Sequence, residues 1–483
     1  MLSKKQTLQV TAVSCLFVAM CAYFSHGQNY YLQLAPVIAA IALAAFMSMD
    51  KLLLVTVFFV PVSVKLSKII IQPPFDLDLP TEPILFGITA VFLLKYLYER
   101  RYDVRILKHP VSLSIGFMIM WSIFTSVTST MPGVSFKYSI SKLWFLIPFY
   151  FVAAEMFKDR AVIGKYFTAY LLSMIVVIIY TLIRHAGFSF DHATSYWVME
   201  PFFADHTSYG AVLALLICII AGVIIALKNQ SDTKWLYAVG IIILFAGLIF
   251  SYTRAAWLGI AGAFALWVVM TFKIKMKLIL IPLFIAAGLI AMNKDQIIIL
   301  MSQNTTDSST DISKHIESMT NIKSDDSNLE RLNRWSCAWR MFLEKPIVGY
   351  GPGTYMFQYV PFQLSYERSR ISTNASDLGN AHSEYFGPLA EQGLPGLLAF
   401  VSVIIFTISS AVRVYYRSQE RWARQLSLFM LLGLLTYYIH GFLNDFLDMD
   451  KATALFWPAT AMIVILDIYH TGKKNDSTSV GIE

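Results

Sequence analysis

Charge is what this sequence has least of. Of its 483 residues, 14% are Asp, Glu, Lys or Arg, against roughly 25% in a soluble globular domain. That shortfall excludes an ordinary cytosolic enzyme. With 57% hydrophobic residues, it also excludes a disordered chain, which is poor in apolar groups and rich in charge. Cysteine is scarce as well. Cys15, Cys21, Cys218 and Cys337 are too few and too scattered for a disulfide framework. Three of them lie in apolar stretches, where Cys acts as a small hydrophobe. The sequence has no H-E-x-x-H, no paired C-x-x-C and no Walker loop, so nothing points to zinc, haem or ATP, and no cofactor is expected. No internal repeat is visible, and with it goes the signature of a duplicated transporter. The net charge of +7 does not describe a nucleic-acid surface. The basic residues fall in short clusters between apolar runs, not on one face that could meet phosphates.

What remains is a polytopic membrane protein. A helix needs about 20 mostly apolar residues to cross a bilayer. Fourteen stretches are candidates, near 8–25, 32–48, 52–64, 81–97, 110–128, 140–157, 161–183, 207–227, 235–251, 254–272, 277–293, 395–412, 423–443 and 452–470. The stretch 52–64 is short and carries Pro61, which suggests a broken or re-entrant segment. The expectation is an all-α chain of about 12–14 transmembrane helices. No small-residue cleavage site follows the first stretch, so it is not expected to be a cleaved signal peptide. With Lys4 and Lys5 in the cytoplasm, the short loops on that side hold 21 Lys and Arg, and the opposite short loops hold 7. This is the asymmetry of the positive-inside rule. Both termini are thus expected in the cytoplasm and residues 294–394 outside it. Four regions follow: N-terminal helices over 1–204, helices with an Arg-bearing outer connection over 205–293, one large outer loop over 294–394, and C-terminal helices with a short tail over 395–483.

Loops as long as 294–394 are usually functional or disordered. Its first third, Ser302 to Ser327, is rich in Ser, Thr, Asp and Asn. A helix signal follows. Ser327 and Glu330 form the S-x-x-E of a capping box, and Leu332, Trp335, Trp339 and Phe342 form one apolar stripe that ends before Pro346. Arg331 and Arg334 fall on nearly one face. The pattern describes a helix on the membrane surface, apolar side down, with two guanidiniums offered together. A solvated amphipathic helix fits the same pattern. Next comes Gly349-Tyr350-Gly351-Pro352-Gly353, whose glycines permit tight turns. Its N–H groups suit either a structural turn or an anion nest. The loop closes with Ala381-His382-Ser383-Glu384-Tyr385 and Leu389-Ala390-Glu391-Gln392-Gly393-Leu394-Pro395-Gly396. An imidazole where the chain re-enters the membrane is a structural hydrogen-bonder or a proton acceptor.

Other polar residues share that outer surface. Arg254 sits in a short connection between two spans, where an ionisable group is either functional or a snorkelling anchor. Glu200, Asp205 and His206 belong to another outer loop. Asp76 and Asp78 have the D-x-D spacing that holds a divalent cation in many sugar-transfer enzymes, a weak signal from two residues, and no metal is assigned.

Three of these segments, in this order, resemble the O-antigen ligase and polymerase superfamily of bacterial membrane glycosyltransferases. Ser251 to Trp257 is similar to the family's S-x-S/T-R-x-x-W/L motif. Arg331 to Trp335 running on to Gly353 is similar to its R-x-x-x-W helix and P-x-x-G-x-G-P-G turn. Ala381 to Gly396 is similar to its A-H-N/S-x-Y/L and A-E-x-G-x-x-G stretch. The resemblance covers about residues 205–445. It implies an inner-membrane enzyme that takes a glycan from undecaprenyl pyrophosphate and passes it to an acceptor hydroxyl on the periplasmic side. The acceptor is lipid A–core in ligases, another carrier-linked glycan in polymerases, and a protein Ser or Thr in some relatives. It further implies an inverting, metal-independent reaction. His382 would act as base, with Arg254 and Arg331 as the catalytic guanidiniums. Arg334, Glu384, Glu391, Asp205, His206 and Gly351 would contribute to substrate binding, with Glu384 or Glu391 orienting the imidazole. A lipid-linked glycan transporter is the rival from another class.

Overall fold

The computed structural model describes residues 34–69, 76–99, 102–226, 234–274, 288, 326–369, 371–373 and 379–471. Among these, the structure is helical apart from one two-stranded ribbon that pairs Val64–Lys65 with Asp78–Leu79. Twelve helices carry the argument. They are α1 (Leu34–Phe59), α2 (Thr81–Glu99), α3 (Pro110–Val127), α4 (Pro132–Met156), α5 (Arg160–Ala186), α6 (His206–Ala226), α7 (Lys234–Phe250), α8 (Arg254–Thr271), α9 (Asp326–Glu344), α10 (Phe386–Arg417), α11 (Arg421–His440) and α12 (Asp450–His470). Eight of the described helices are long and apolar enough to cross a membrane. Their outward faces carry Leu113, Met120, Val127, Ile183 and Leu258, each more than half exposed. An apolar belt of this extent is what a bilayer-facing surface presents. The chain is an all-α polytopic membrane protein.

Breaks in the helices follow Pro and Gly. The expected spans near 32–48 and 52–64 fall on α1, which is two helical runs joined across a kink at Ser48 (φ −158°, ψ 75°). It stops at Phe59, since a residue before Pro61 is pushed out of the helical region. Helix α4 starts at Pro132, where a first-turn proline forfeits no hydrogen bond. It passes through a π turn over Ile147–Val152, because Pro148 cannot donate within the ladder. Helix α10 begins at Phe386, earlier than the expected 395, and carries a break at Gly393. The expected span near 8–25, and that near 277–293 apart from Gly288, lie outside the described residues.

Helices α6 and α12 are buried almost throughout, as helices that are apolar all round must be. Helix α6 runs along α11, α11 along α8, and α10 along α3. Because successive spans alternate in direction, one end of the bundle collects the starts of α4, α6, α8, α10 and α12 together with the ends of α3, α5, α7 and α11. The long loop, with α9, lies at this end.

A buried ion network knots the N-terminal part to α12. The Lys451 ammonium donates to Ser63 Oγ at 2.8 Å and Asp450 Oδ1 at 3.1 Å, and lies 3.8 Å from Asp78. Asp450 Oδ2 accepts from Ser63 and Thr81, both at 2.7 Å. Burial, with Asp450 beside it, raises the Asp78 carboxyl to about 6. Asp76 turns away to accept from Ser67, so the two acids of the D-x-D do not converge. Removing one member of a buried pair strands the other, at a cost of about 3–5 kcal/mol. Lys451→Met should therefore lower the melting temperature of the detergent-solubilised protein markedly, as scanning fluorimetry would register. An unchanged melting curve would contradict the network's structural role.

Candidate functional site

The site is built by docking the long loop onto α10. Helix α9 starts at Asp326, one residue before the expected cap, and its Glu330 does not close a capping box. That carboxylate accepts from Arg334 Nε at 2.7 Å, from Ser369 at 2.9 Å and from Ser372. These hydrogen bonds overcome the effect of burial and hold it below the usual range. The buried face of α9 is Asn333, Arg334, Cys337, Ala338 and Met341, packed against Tyr350, Tyr355 and Tyr359. Of the apolar stripe, Trp339 is 46% exposed, and Trp335 stacks on Phe386 at 5.3 Å.

Of the three guanidiniums on α9, Arg340 pairs with Glu367 at 2.6 Å, and the two expected to act together part company. Arg334 is buried. It pairs with Glu330, donates to the Gly379 carbonyl at 3.1 Å and lies 4.1 Å over the Tyr359 ring. Arg331 points the other way, and its Nε donates to the Leu443 carbonyl at 3.0 Å. The expectation of a jointly offered pair is thus corrected. The physical reason is Glu330, one turn before Arg334 and inside the loop core, which draws only the nearer guanidinium inward.

The glycine turn is a docking element. Glu391 Oε2 accepts from the Gly353 N–H and Oε1 from the Tyr355 N–H, each at 2.9 Å. The Gly351 N–H donates to the Glu391 carbonyl at 2.7 Å, and the Tyr350 N–H to the Ala390 carbonyl at 3.2 Å. The donors an anion nest requires are therefore used inside the protein, Gly351 included. The counterpart of the turn is the break at Gly393 (φ 67°, ψ −168°), a conformation essentially restricted to glycine. A Cβ there would lie 2.2 Å from the Ile347 carbonyl oxygen.

His382 precedes α10 with φ +48°, a left-handed conformation that costs an L-residue about 1–2 kcal/mol. It is held by its N–H to Asn380 Oδ1 at 3.1 Å, by Trp335 Nε1 on its carbonyl at 3.5 Å, and, two residues on, by the Glu384 N–H on the Gly441 carbonyl at 2.8 Å. Burial, then the positive charges of Arg331 and Arg334, push its imidazole down to about 4, while Glu330 and Asp205 oppose them. His382 thus sits among charges from α9 and from the start of α6. Glu384 does not orient it. Its Oε1 accepts from the Tyr437 hydroxyl at 2.6 Å and the N–H groups of Phe446 and Leu447 at 3.0 and 2.9 Å. Burial raises its carboxyl above the usual range. Glu391 is likewise committed to the glycine turn.

Asp205 caps α6, accepting from the N–H groups of Thr207 and Ser208 at 2.8 Å. Thr253, which precedes Arg254, donates to the His206 carbonyl at 2.6 Å and so ties the start of α8 to the start of α6. Tyr252, in the same turn, has φ +51°. The charges of Arg254 and Arg331 both reach the His206 ring, whose Nδ1 is buried without a hydrogen-bond partner. The structure therefore gathers His382, Arg331, Arg254, Asp205 and His206 at one end of the bundle. It engages Arg334, Glu384, Glu391 and Gly351 in holding the scaffold. Sequence reasoning missed His440, which is buried with Nε2 3.0 Å from Asn444 Nδ2 and lies within electrostatic reach of Arg331 and Asp205. Its only signal was a polar pair, His440 and Asn444, at the end of an apolar run. Among the described residues, no three His, Cys, Asp or Glu are grouped as metal ligands.

A helical, multi-pass membrane protein with a basic, histidine-bearing end is the class that these features define. Residues 239–401 match the family model described as O-antigen ligase. The match spans about a third of the chain and supports the O-antigen ligase and polymerase superfamily, a family of membrane enzymes. It includes Arg254, Arg331 and His382. Asp205 and His206 precede it. Comparison with curated proteins gives no match.

Gly393→Ala should strain the α10 break and displace the glycine turn. The loop should then be cleaved faster than wild type in limited proteolysis of the protein in nanodiscs, with new cuts between 345 and 394. An unaltered cleavage pattern would refute the docking role.

Proposed function

We propose that the protein transfers a glycan from undecaprenyl pyrophosphate to a hydroxyl of lipid A–core, on the periplasmic face of the inner membrane. The observation that carries this reading is that His382, Arg331 and Arg254, from three separate segments, lie at one end of the bundle. Arg331 lies within electrostatic reach of His382, and both Arg331 and Arg254 lie within reach of the His206 ring.

A glycosyl pyrophosphate is already activated and needs no ATP. The acceptor oxygen attacks the anomeric carbon as the bond to the diphosphate oxygen breaks. Negative charge grows on the diphosphate, and guanidiniums suit it because they stay charged and bind phosphate oxygens in pairs. In a partly dry site such fixed charge acts more strongly than in water. The acceptor proton passes to neutral His382. A single displacement of this kind inverts the anomeric centre. The paired carboxylates of the scaffold are engaged elsewhere, and the residues give no step that calls for a metal. A polymerase differs only in its acceptor, and the family match is compatible with both. A deletion strain separates them: carrier-linked polymer with bare core favours the ligase, whereas single repeats on the core favour the polymerase.

His382→Ala should lower transfer by about 10²–10⁴-fold, while the protein still inserts and elutes as wild type. Retained activity would contradict the assignment. A second measurement tests the electrostatics. Because the imidazole is neutral above about pH 4, the acid limb of kcat/KM should fall near pH 4, not near the ordinary histidine value of about 6.5. A limb at 6.5 that is absent from the His382→Gln variant would show that the burial argument is wrong.

A further inference from the structure

A cavity of about 420 Å³ opens beside the strip that bears His382. Its walls come from α3, α4, α10, α12 and the 445–448 turn. Asn380, Ala381, Ser383 and Glu384 line it, so His382 stands at its margin, between the cavity and the arginines. Along α4 the lining runs from Tyr138 to Leu146, a depth of about 12 Å at the helical rise. The deep end is apolar, with Phe145, Leu146, Phe400 and Trp457.

The polar lining divides into two sets. Most of it is committed. Lys142 pairs with Asp448, Tyr138 donates to Asp448 at 3.1 Å, and the Ser122 and Ser139 hydroxyls bond at 2.8 Å. Glu384 and Glu391 hold the scaffold, as described above. Two groups are not committed. Gln392 is 9% exposed, and its side-chain amide has no hydrogen-bond partner among the described residues, although its main-chain carbonyl accepts from Trp121. Asp445, half-buried on the 445–448 turn, has no partner for its carboxyl among the described residues. Both side chains line the chamber, within reach of a ligand that enters it. Lys142 is the one cation in the lining and it is paired, so the cavity has no surplus positive charge for a diphosphate. Apolar and aromatic walls with a few convergent amide and carboxyl groups are what a neutral polyol fits.

We propose that this chamber holds the acceptor sugar, with Gln392 and Asp445 hydrogen-bonding its hydroxyls and turning one of them toward His382. The inference rests on the transferase reading, since it assigns the occupant to the acceptor side of that reaction.

The test uses the full-length protein in nanodiscs, with tryptophan fluorescence as reporter because Trp457 lines the chamber. The two probes are core oligosaccharide freed of its fatty acids and undecaprenyl monophosphate. Gln392→Leu and the isosteric Asp445→Asn should each weaken oligosaccharide binding by about tenfold, the worth of one buried hydrogen bond. Undecaprenyl phosphate binding should hold, and a melting temperature close to wild type would show that each variant is folded. In the transfer assay the acceptor KM should rise by the same factor while the donor KM stays put. The proposal is overturned if the variants weaken undecaprenyl phosphate instead, which would make the chamber a seat for the carrier chain. It is also overturned if wild type does not bind the oligosaccharide, or if neither probe responds to the variants. Oligosaccharide binding without transfer in wild type would defeat the functional reading and leave the chamber standing. Transfer with a variant-insensitive acceptor KM would do the reverse.

Discussion

One buried carboxylate holds the long loop on the membrane bundle. Glu391 takes the N–H of Gly353 on one oxygen and that of Tyr355 on the other, and main-chain bonds from Tyr350 and Gly351 run alongside. The described part of the loop around α9 builds on this junction. Tyr355 donates to the Arg334 carbonyl at 2.8 Å, which sets α9. Helix α9 in turn puts Trp335 against Phe386 and the His382 carbonyl. The constraint works only because Gly393 lets α10 break where the turn arrives. A straight helix would present its side chains there and leave no main-chain groups for the turn to meet.

Loop docking also sorts charge. Helix α9 carries three arginines; Glu330 pulls Arg334 into the loop core and Glu367 pairs with Arg340. The third, Arg331, donates from Nε to the Leu443 carbonyl. Helix α8 brings Arg254 to the same end, tied through Thr253 to α6. On the far side of His382, the chamber is rich in carboxyl groups, and its single ammonium is paired. In a medium of low effective dielectric such a division has force, because a diphosphate gains far more from the arginine side than it would in water. Under our reading, an anionic donor and a neutral acceptor are directed to opposite sides of one imidazole by charge alone.

Much of this was legible in the sequence, and the losses have physical causes. The spans were readable because crossing a bilayer imposes a length and a composition that nothing else mimics. The polar Ser48–Lys51 segment between two apolar runs marked the kink of α1, where two helical runs meet at Ser48. Gathering His382, Arg254 and Arg331 required only that distinctive residues fall at one end of the bundle, which span counting supplies. The division of labour between Arg331 and Arg334 was hidden. Helical spacing puts the two on one face, and only the tertiary position of Glu330 separates them. The clamp roles of Glu384 and Glu391 were hidden for the same reason, as their partners are main-chain N–H groups that carry no sequence signature. Gln392 and Asp445 gave no signal, because an unsatisfied polar group is visible only when its surroundings are.

The placement of ionisable groups bears on the rival reading, a transporter for a lipid-linked glycan. A transporter needs its polar contacts near the bilayer midplane, at broken helices that expose main-chain groups to the substrate. The chain does have broken helices, at Ser48, Pro148 and Gly393. The break at Gly393 is filled by the glycine turn, and its neighbouring carbonyls accept from Tyr350 and Gly351. Around Pro148 the π turn is buried against α12 and α2. The breaks thus serve packing, and the polar residues that are not absorbed by the scaffold lie at one end, where a hydroxyl and a diphosphate can meet without crossing the membrane. The family match begins at residue 239, yet the same end also draws on Asp205, His206 and Lys142. The N-terminal half therefore supplies one wall of the chamber and one flank of the basic cluster, and it does more than anchor the protein in the bilayer.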